Sequence, residues 1–165
     1  MAFLIQFNLV EAIDVKSLIK KVSLMDGIDL RLLKVKDLTF HNDDVIYPGN
    51  GVYLFREGRQ VVYVGKCSSM SFMERIPNHF DIRVGAYQNT LLKYICKRKF
   101  QKQVTDENLL EASRYCFEHF NLILINFTNK TKINRLETLL RNCCNPINKP
   151  RLVSAVSQTM RLIDM

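Results

Sequence analysis

The sequence predicts a mixed α/β (α+β) fold, a small mixed three-stranded sheet flanked by helices, and two observations carry that reading. The β-rich runs GVYLF (51–55) and VVYVG (61–65), separated by the polar stretch REGRQ, form the pattern of a hairpin. An unbroken apolar run, FNLILINF (120–127), reads as a buried third strand with helical patterns before and after it. With 165 residues and 47% apolar content the chain can close one core but not two, so one domain is expected over 1–165. Within it, 1–48 reads as an N-terminal extension, 49–150 as the core and 151–165 as a tail.

The elements follow in order. Asp14 is placed to cap a helix with Val15, Leu18, Ile19 and Val22 on one face, ending before Gly27. Residues 28–40 show no clear period, and 41–50 read as a turn-rich loop into the hairpin. After the hairpin, Ser71 followed by Glu74 is the capping-box start of a helix that Pro77 keeps short or bends. Leu91, Leu92 and Ile95 mark a helix leading into the basic run Lys97-Arg98-Lys99, and Asp106 to His119 reads as another. A last helix, from about Lys132 to Cys144, stops at Asn145-Pro146.

Composition narrows the function. No run approaches the length of a membrane span and the start lacks a secretory leader, so a soluble, intracellular, cytoplasmic protein is expected. The five cysteines make no CxxC pair and have no histidine at zinc-ligand spacing, which points to reduced thiols. The net charge of +8 sits in the second half: residues 90–151 carry 12 basic and 5 acidic groups, against 6 and 7 in residues 1–50. A surface of one sign attracts a polyanion by releasing its counterions, which makes nucleic acid the first partner to consider. Lys97, Arg98, Lys99 and Lys102 are the candidate phosphate contacts.

The hairpin holds Gly51-Val52-Tyr53 on one strand and Tyr63-Val64-Gly65 on the other, and paired strands can bring the two phenols together on one face. Two strand tyrosines are more often packing residues with wet hydroxyls. The hairpin is followed, however, by Lys66, by Arg75 on the next helix and by His79 one turn on. Glu137 stands in the last helix among Ile133, Leu136, Leu140 and Cys144. There it either needs a cation to be buried or points outward between Arg135 and Arg141, and spacing alone leaves both open.

With those residues on the page, the chain resembles the GIY-YIG nuclease family, with valine replacing isoleucine in both triplets. The family's helix arginine matches Arg75, its metal-binding glutamate Glu137 and its asparagine past the last helix Asn148, over roughly residues 49–150. The resemblance implies a metal-dependent endonuclease acting on DNA, with one magnesium, or manganese in its place, held by Glu137. It implies Tyr53 as general base, assisted or replaced by Lys66 or His79, with Tyr63 positioning and Arg75 clamping the phosphate. A phenol is a poor base near neutrality, and Lys66, Arg75 and His79 are the cations expected to lower its pKa.

Relatives in that family often carry a separate DNA-binding domain, and none is expected here. That compactness resembles the restriction-enzyme branch. One active site per chain then points to a two-fold homodimer for cutting both strands, with the N-terminal helix as interface or else packed on its own domain. The rival readings are a non-catalytic nucleic-acid-binding module and a nickase or repair nuclease.

Overall fold

The computed structural model describes residues 2–42, 44–46, 48–148 and 158–165. Its elements are β1 (Leu4–Gln6), α1 (Val15–Leu24), β2 (Ile28–Asp29), β3 (Phe40–His41), β4 (Asp44–Val45), β5 (Gly51–Glu57), β6 (Gln60–Cys67) and α2 (Phe72–Asn78). There follow α3 (Thr90–Tyr94), α4 (Asp106–His119), β7 (Phe120–Asn126) and α5 (Lys130–Cys144). The fold is mixed α/β, as expected, and among the described residues no helix is long and apolar enough to cross a membrane.

The expected hairpin is β5–β6, and β7 pairs antiparallel on the other side of β5. The sheet is larger than the expected three strands. The free edge of β7 takes β1 in parallel, Leu4 opposite Leu124, and β2 antiparallel, Ile28 opposite Leu122, giving a five-stranded mixed sheet. Strands of three and two residues show no period of their own and exist because β7 offers them an edge. Gly51 opens β5 at φ +143, where an added Cβ would overlap the Ile125 carbonyl of β7, so this first position of the Gly-Val-Tyr triplet admits only glycine.

Alternation along the strands gives the one sheet two apolar faces, so the core of the domain is divided by the sheet into two clusters. Tyr53, Phe55, Tyr63, Leu122 and Leu124 pack on one face with Phe72 and Ile76 of α2, Leu91 and Leu92 of α3 and Leu109 of α4. Val52, Leu54, Val64, Ile123 and Ile125 pack on the other with Val15, Leu18 and Val22 of α1 and Ile133, Leu136 and Leu140 of α5. The helices carry the local signals read from the sequence: Asp14 accepts from Ser17 N–H at 2.6 Å, and Ser71 and Glu74 form the reciprocal capping box of α2. Asn145, at φ 48, turns the chain out of α5 in the left-handed conformation that asparagine tolerates. One helix was not foreseen in its detail: α3 widens into a π-turn over Ile95–Lys99, closed by the bond from Phe100 N–H to Ile95 O at 3.0 Å.

The residues expected as an extension are part of this core. The apolar stripe of α1 is covered by α5 and by Leu162, whose N–H donates to Ile13 O at 3.0 Å. The apolar face of α1 is thus covered within its own chain, the alternative to a role at a dimer interface. Of the expected tail, 151–157 lie outside the described residues, as do 149 and 150 at the end of the expected core; 158–165 dock on α1 through Val15 N–H to Met160 O.

Arg56 ties this N-terminal layer to the hairpin. It is 2% exposed and its guanidinium donates to the carbonyls of Val22, Met25 and Asp26 at 2.6, 2.7 and 2.9 Å, capping the C-terminus of α1. Arg56→Met keeps the stem and strips three carbonyls of their donor. A loss of about 3 kcal/mol in urea unfolding is expected, the scale of orphaning buried groups bonded to a charge. Unchanged stability would mean that water replaces the guanidinium at no cost.

Candidate active site

Tyr53 faces Gly65 across the hairpin and Phe55 faces Tyr63, so the two tyrosines are diagonal neighbours on one face with ring centroids 6.4 Å apart. Gly65 has no side chain because the Tyr53 ring lies across it, and a methyl group there would overlap that ring and its hydroxyl. Lys66, the next residue, points to the opposite face, where α5 packs. β6 is an edge strand of the sheet.

A cavity of about 300 Å³ opens at that edge, lined by Tyr53, Tyr63, Lys66, Arg75, Glu137 and Asn148. Six of the seven expected site residues thus surround one space. The seventh, His79, does not line it: it is fully buried behind Tyr53, with Nε2 2.5 Å from the Tyr53 hydroxyl. Leu91 N–H donates to His79 Nδ1 at 3.4 Å, which assigns the ring proton to Nε2 and makes His79 the donor toward Tyr53. Burial, with Arg75 adding to it, holds the imidazole pKa well below its usual value, so His79 is neutral. It contacts the phenol from behind, away from the cavity, and being neutral it is not one of the cations expected around Tyr53.

The expected lowering of the Tyr53 pKa is also reversed. Tyr53 is 1% exposed, and burial pushes its hydroxyl well above the ordinary phenol value, Tyr63 adding to the rise and Arg75 opposing it. Tyr63 is raised too, chiefly by burial, against its bond to Thr90 Oγ1 at 2.9 Å. Desolvation outweighs the nearby cation at both phenols.

Arg75 reaches the cavity from α2 and is braced by the loop before α3, donating to Gln88 O at 2.9 Å and to Thr90 Oγ1 at 3.4 Å. Glu137, 3% exposed, points inward, which resolves the alternative left open by spacing. Its Oε1 accepts from Arg141 at 2.9 Å and its Oε2 lies 3.8 Å from Lys66 Nζ, so cations make the buried carboxylate tolerable. Among the described residues no three His, Cys, Asp or Glu converge on a point.

Asn148 has a structural task. Its amide pairs with the outer backbone edge of β6, accepting from Val64 N–H at 3.3 Å and donating to Val64 O at 2.7 Å, beside the bond from Ile147 N–H to Val62 O. The asparagine mimics a neighbouring strand and holds the edge on which Gly65 and Lys66 sit. Thr90, Tyr94 and Arg141 line the cavity as well and were not expected there. The i, i+4 spacing of Glu137 and Arg141 could have revealed Arg141. Nothing local marks Thr90 or Tyr94.

The basic run offers less charge than its composition suggests. Lys99 pairs with Glu57 at 2.5 Å and Lys102 with Glu111 at 2.6 Å, while Arg98 donates to Ile147 O at 2.8 Å and covers the Tyr94 ring at 5.2 Å. Lys97 is exposed. The cysteines are free thiols, Cys67, Cys96 and Cys116 buried and Cys143 and Cys144 half-buried. No protein-family model matches the sequence, and no curated protein or solved structure matches it either.

Proposed function

We propose that this chain is a metal-dependent endonuclease of the GIY-YIG type, hydrolysing phosphodiester bonds in DNA. The observation that carries the reading is the convergence of Tyr53, Tyr63, Lys66, Arg75 and Glu137, brought from β5, β6, α2 and α5, on one cavity. The donor chemistry fits one magnesium or manganese ion. Magnesium keeps most of its waters and needs one or two carboxylates plus substrate phosphate, and Glu137 is a single inward carboxylate on a cavity with room for water. When bound, the ion supplies Lewis-acid stabilisation of charge on the phosphate.

The chain's own groups do the rest. Arg75, braced by Gln88 and Thr90, presents a planar fork to the phosphate oxygens. Lys66 adds a cation on the other side of the glycine edge. Tyr53 accepts from His79 and keeps a lone pair for a proton of the attacking water, which fixes the water's orientation. With its pKa raised, Tyr53 is protonated at neutral pH, so in this proposal it positions the water first. The basic excess of residues 90–151 supports a polyanionic substrate.

A non-catalytic nucleic-acid-binding module is the second reading, favoured by the protonated Tyr53 and by the contact of Glu137 with Arg141. Incubation of the pure protein with end-labelled single-stranded and duplex DNA, in magnesium and in EDTA, separates the two. Discrete shorter products in magnesium alone support the nuclease. DNA bound yet intact in both supports the module.

A further inference from the structure

Beside the active-site cavity lies a second hollow of about 610 Å³, and Lys66, Arg75 and Thr90 line both. Beyond those residues the hollow is walled by Ser68, Ser69 and Met70 after β6 and by Gln88 before α3. Tyr87 stands on this wall and is 90% exposed, more than any other large apolar or aromatic side chain described.

Its backbone is held. Lys93 Nζ donates to Ala86 O at 2.7 Å and Arg75 to Gln88 O at 2.9 Å, so the carbonyls on both sides of Tyr87 are tied down. The rest of the loop is fastened by Asn89, whose amide donates to Asp81 O at 2.7 Å and Arg83 O at 2.9 Å, and by Val84 N–H to Asp106 Oδ1 at 2.8 Å. Tyr87 is therefore an aromatic ring on a fixed mount that contributes nothing to the core. Leaving such a ring in water has no folding benefit, and a rigid mount lowers the entropic cost of using it on a ligand.

Resting on the nuclease reading, we propose that this hollow takes the nucleotide next to the scissile phosphate and that Tyr87 stacks on its base, which makes the substrate single-stranded or locally unpaired at that position. A phosphate at Arg75 lies at a residue shared by the cavity and the larger hollow, so the adjoining sugar and base can enter the space that Tyr87 walls. The serine hydroxyls and the Gln88 amide, itself bonded to Asn78 at 2.9 Å, offer polar contacts along the way. In a duplex the faces of a base are covered by its neighbours, so a ring presented this way is useful only to a base that has left the stack.

The test is binding in EDTA, where no cutting occurs, of a single-stranded oligonucleotide carrying 2-aminopurine and of the same sequence as duplex. Wild-type protein, Tyr87→Ala and Tyr87→Phe are compared, and since the side chain is exposed each variant should fold. Tyr87→Ala is expected to weaken single-strand binding about tenfold and to abolish the change in 2-aminopurine fluorescence, the scale of one lost base–aromatic stack. Tyr87→Phe should stay within about twofold of wild type, because the ring and not the hydroxyl does the stacking, and duplex affinity should barely change. Equal single-strand affinity for wild type and Tyr87→Ala, or an equal loss on single strand and duplex, overturns the proposal. Cleavage by the wild type in magnesium, scored separately, shows whether the nuclease reading stands when the stacking fails.

Discussion

Glu137→Gln is expected to lower the rate of DNA cleavage on the order of a thousandfold while leaving affinity in EDTA unchanged or slightly higher. The substitution is nearly isosteric, and the amide oxygen can still accept from Arg141, now at 2.9 Å from Oε1. What goes is the negative charge, which the proposal uses to hold the ion. Arg141 and Lys66 then lose a compensating carboxylate, so the cavity becomes more positive and attracts phosphate no less. Single-turnover cleavage and fluorescence anisotropy on one preparation read both effects. A variant that keeps a tenth of the wild-type rate removes Glu137 from its assigned role.

Arg75→Ala is expected to cost about 3 kcal/mol of transition-state stabilisation, roughly a hundredfold in kcat/KM, the scale of one preorganised donor. The loss should fall mainly on kcat. Gln88 and Thr90 lie near the surface and can be resolvated, so folding should survive. Lysine should recover only part of the rate: a point charge on a flexible stem cannot bond Gln88 O and present a fork to phosphate at once. A folded alanine variant with near-normal kinetics would reduce Arg75 to a brace for the loop before α3.

Much of this was legible in the sequence where the signal is local. The capping box at Ser71 and Glu74, the end of α5 at Asn145 and the apolar run of β7 depend on neighbours within a few residues, and each lies where the pattern places it. Pairing over long separations was not legible. β1 and β2 need the edge of β7, about a hundred residues on, and Lys99 meets Glu57 from a strand that shares no local pattern with it.

At the site, identity was readable and environment was not. The sequence shows Tyr53 beside possible cations, and only the packing of Phe55, Tyr63 and His79 around it shows that burial outweighs them. In sequence His79 stands out for its chemistry and Asn148 only by resemblance to the family's asparagine. In the fold both are already engaged, one behind the phenol and one along the edge of β6.

The central claim is that this cavity hydrolyses a phosphodiester with water. Cleaving DNA with the wild-type protein and magnesium in water enriched in oxygen-18, then weighing the product ends by mass spectrometry, tests it most directly. One oxygen-18 atom is expected in each newly formed terminal phosphate, with product from Glu137→Gln forming about a thousandfold more slowly. Intact DNA, or cut ends whose phosphates carry only the original oxygens, would contradict it.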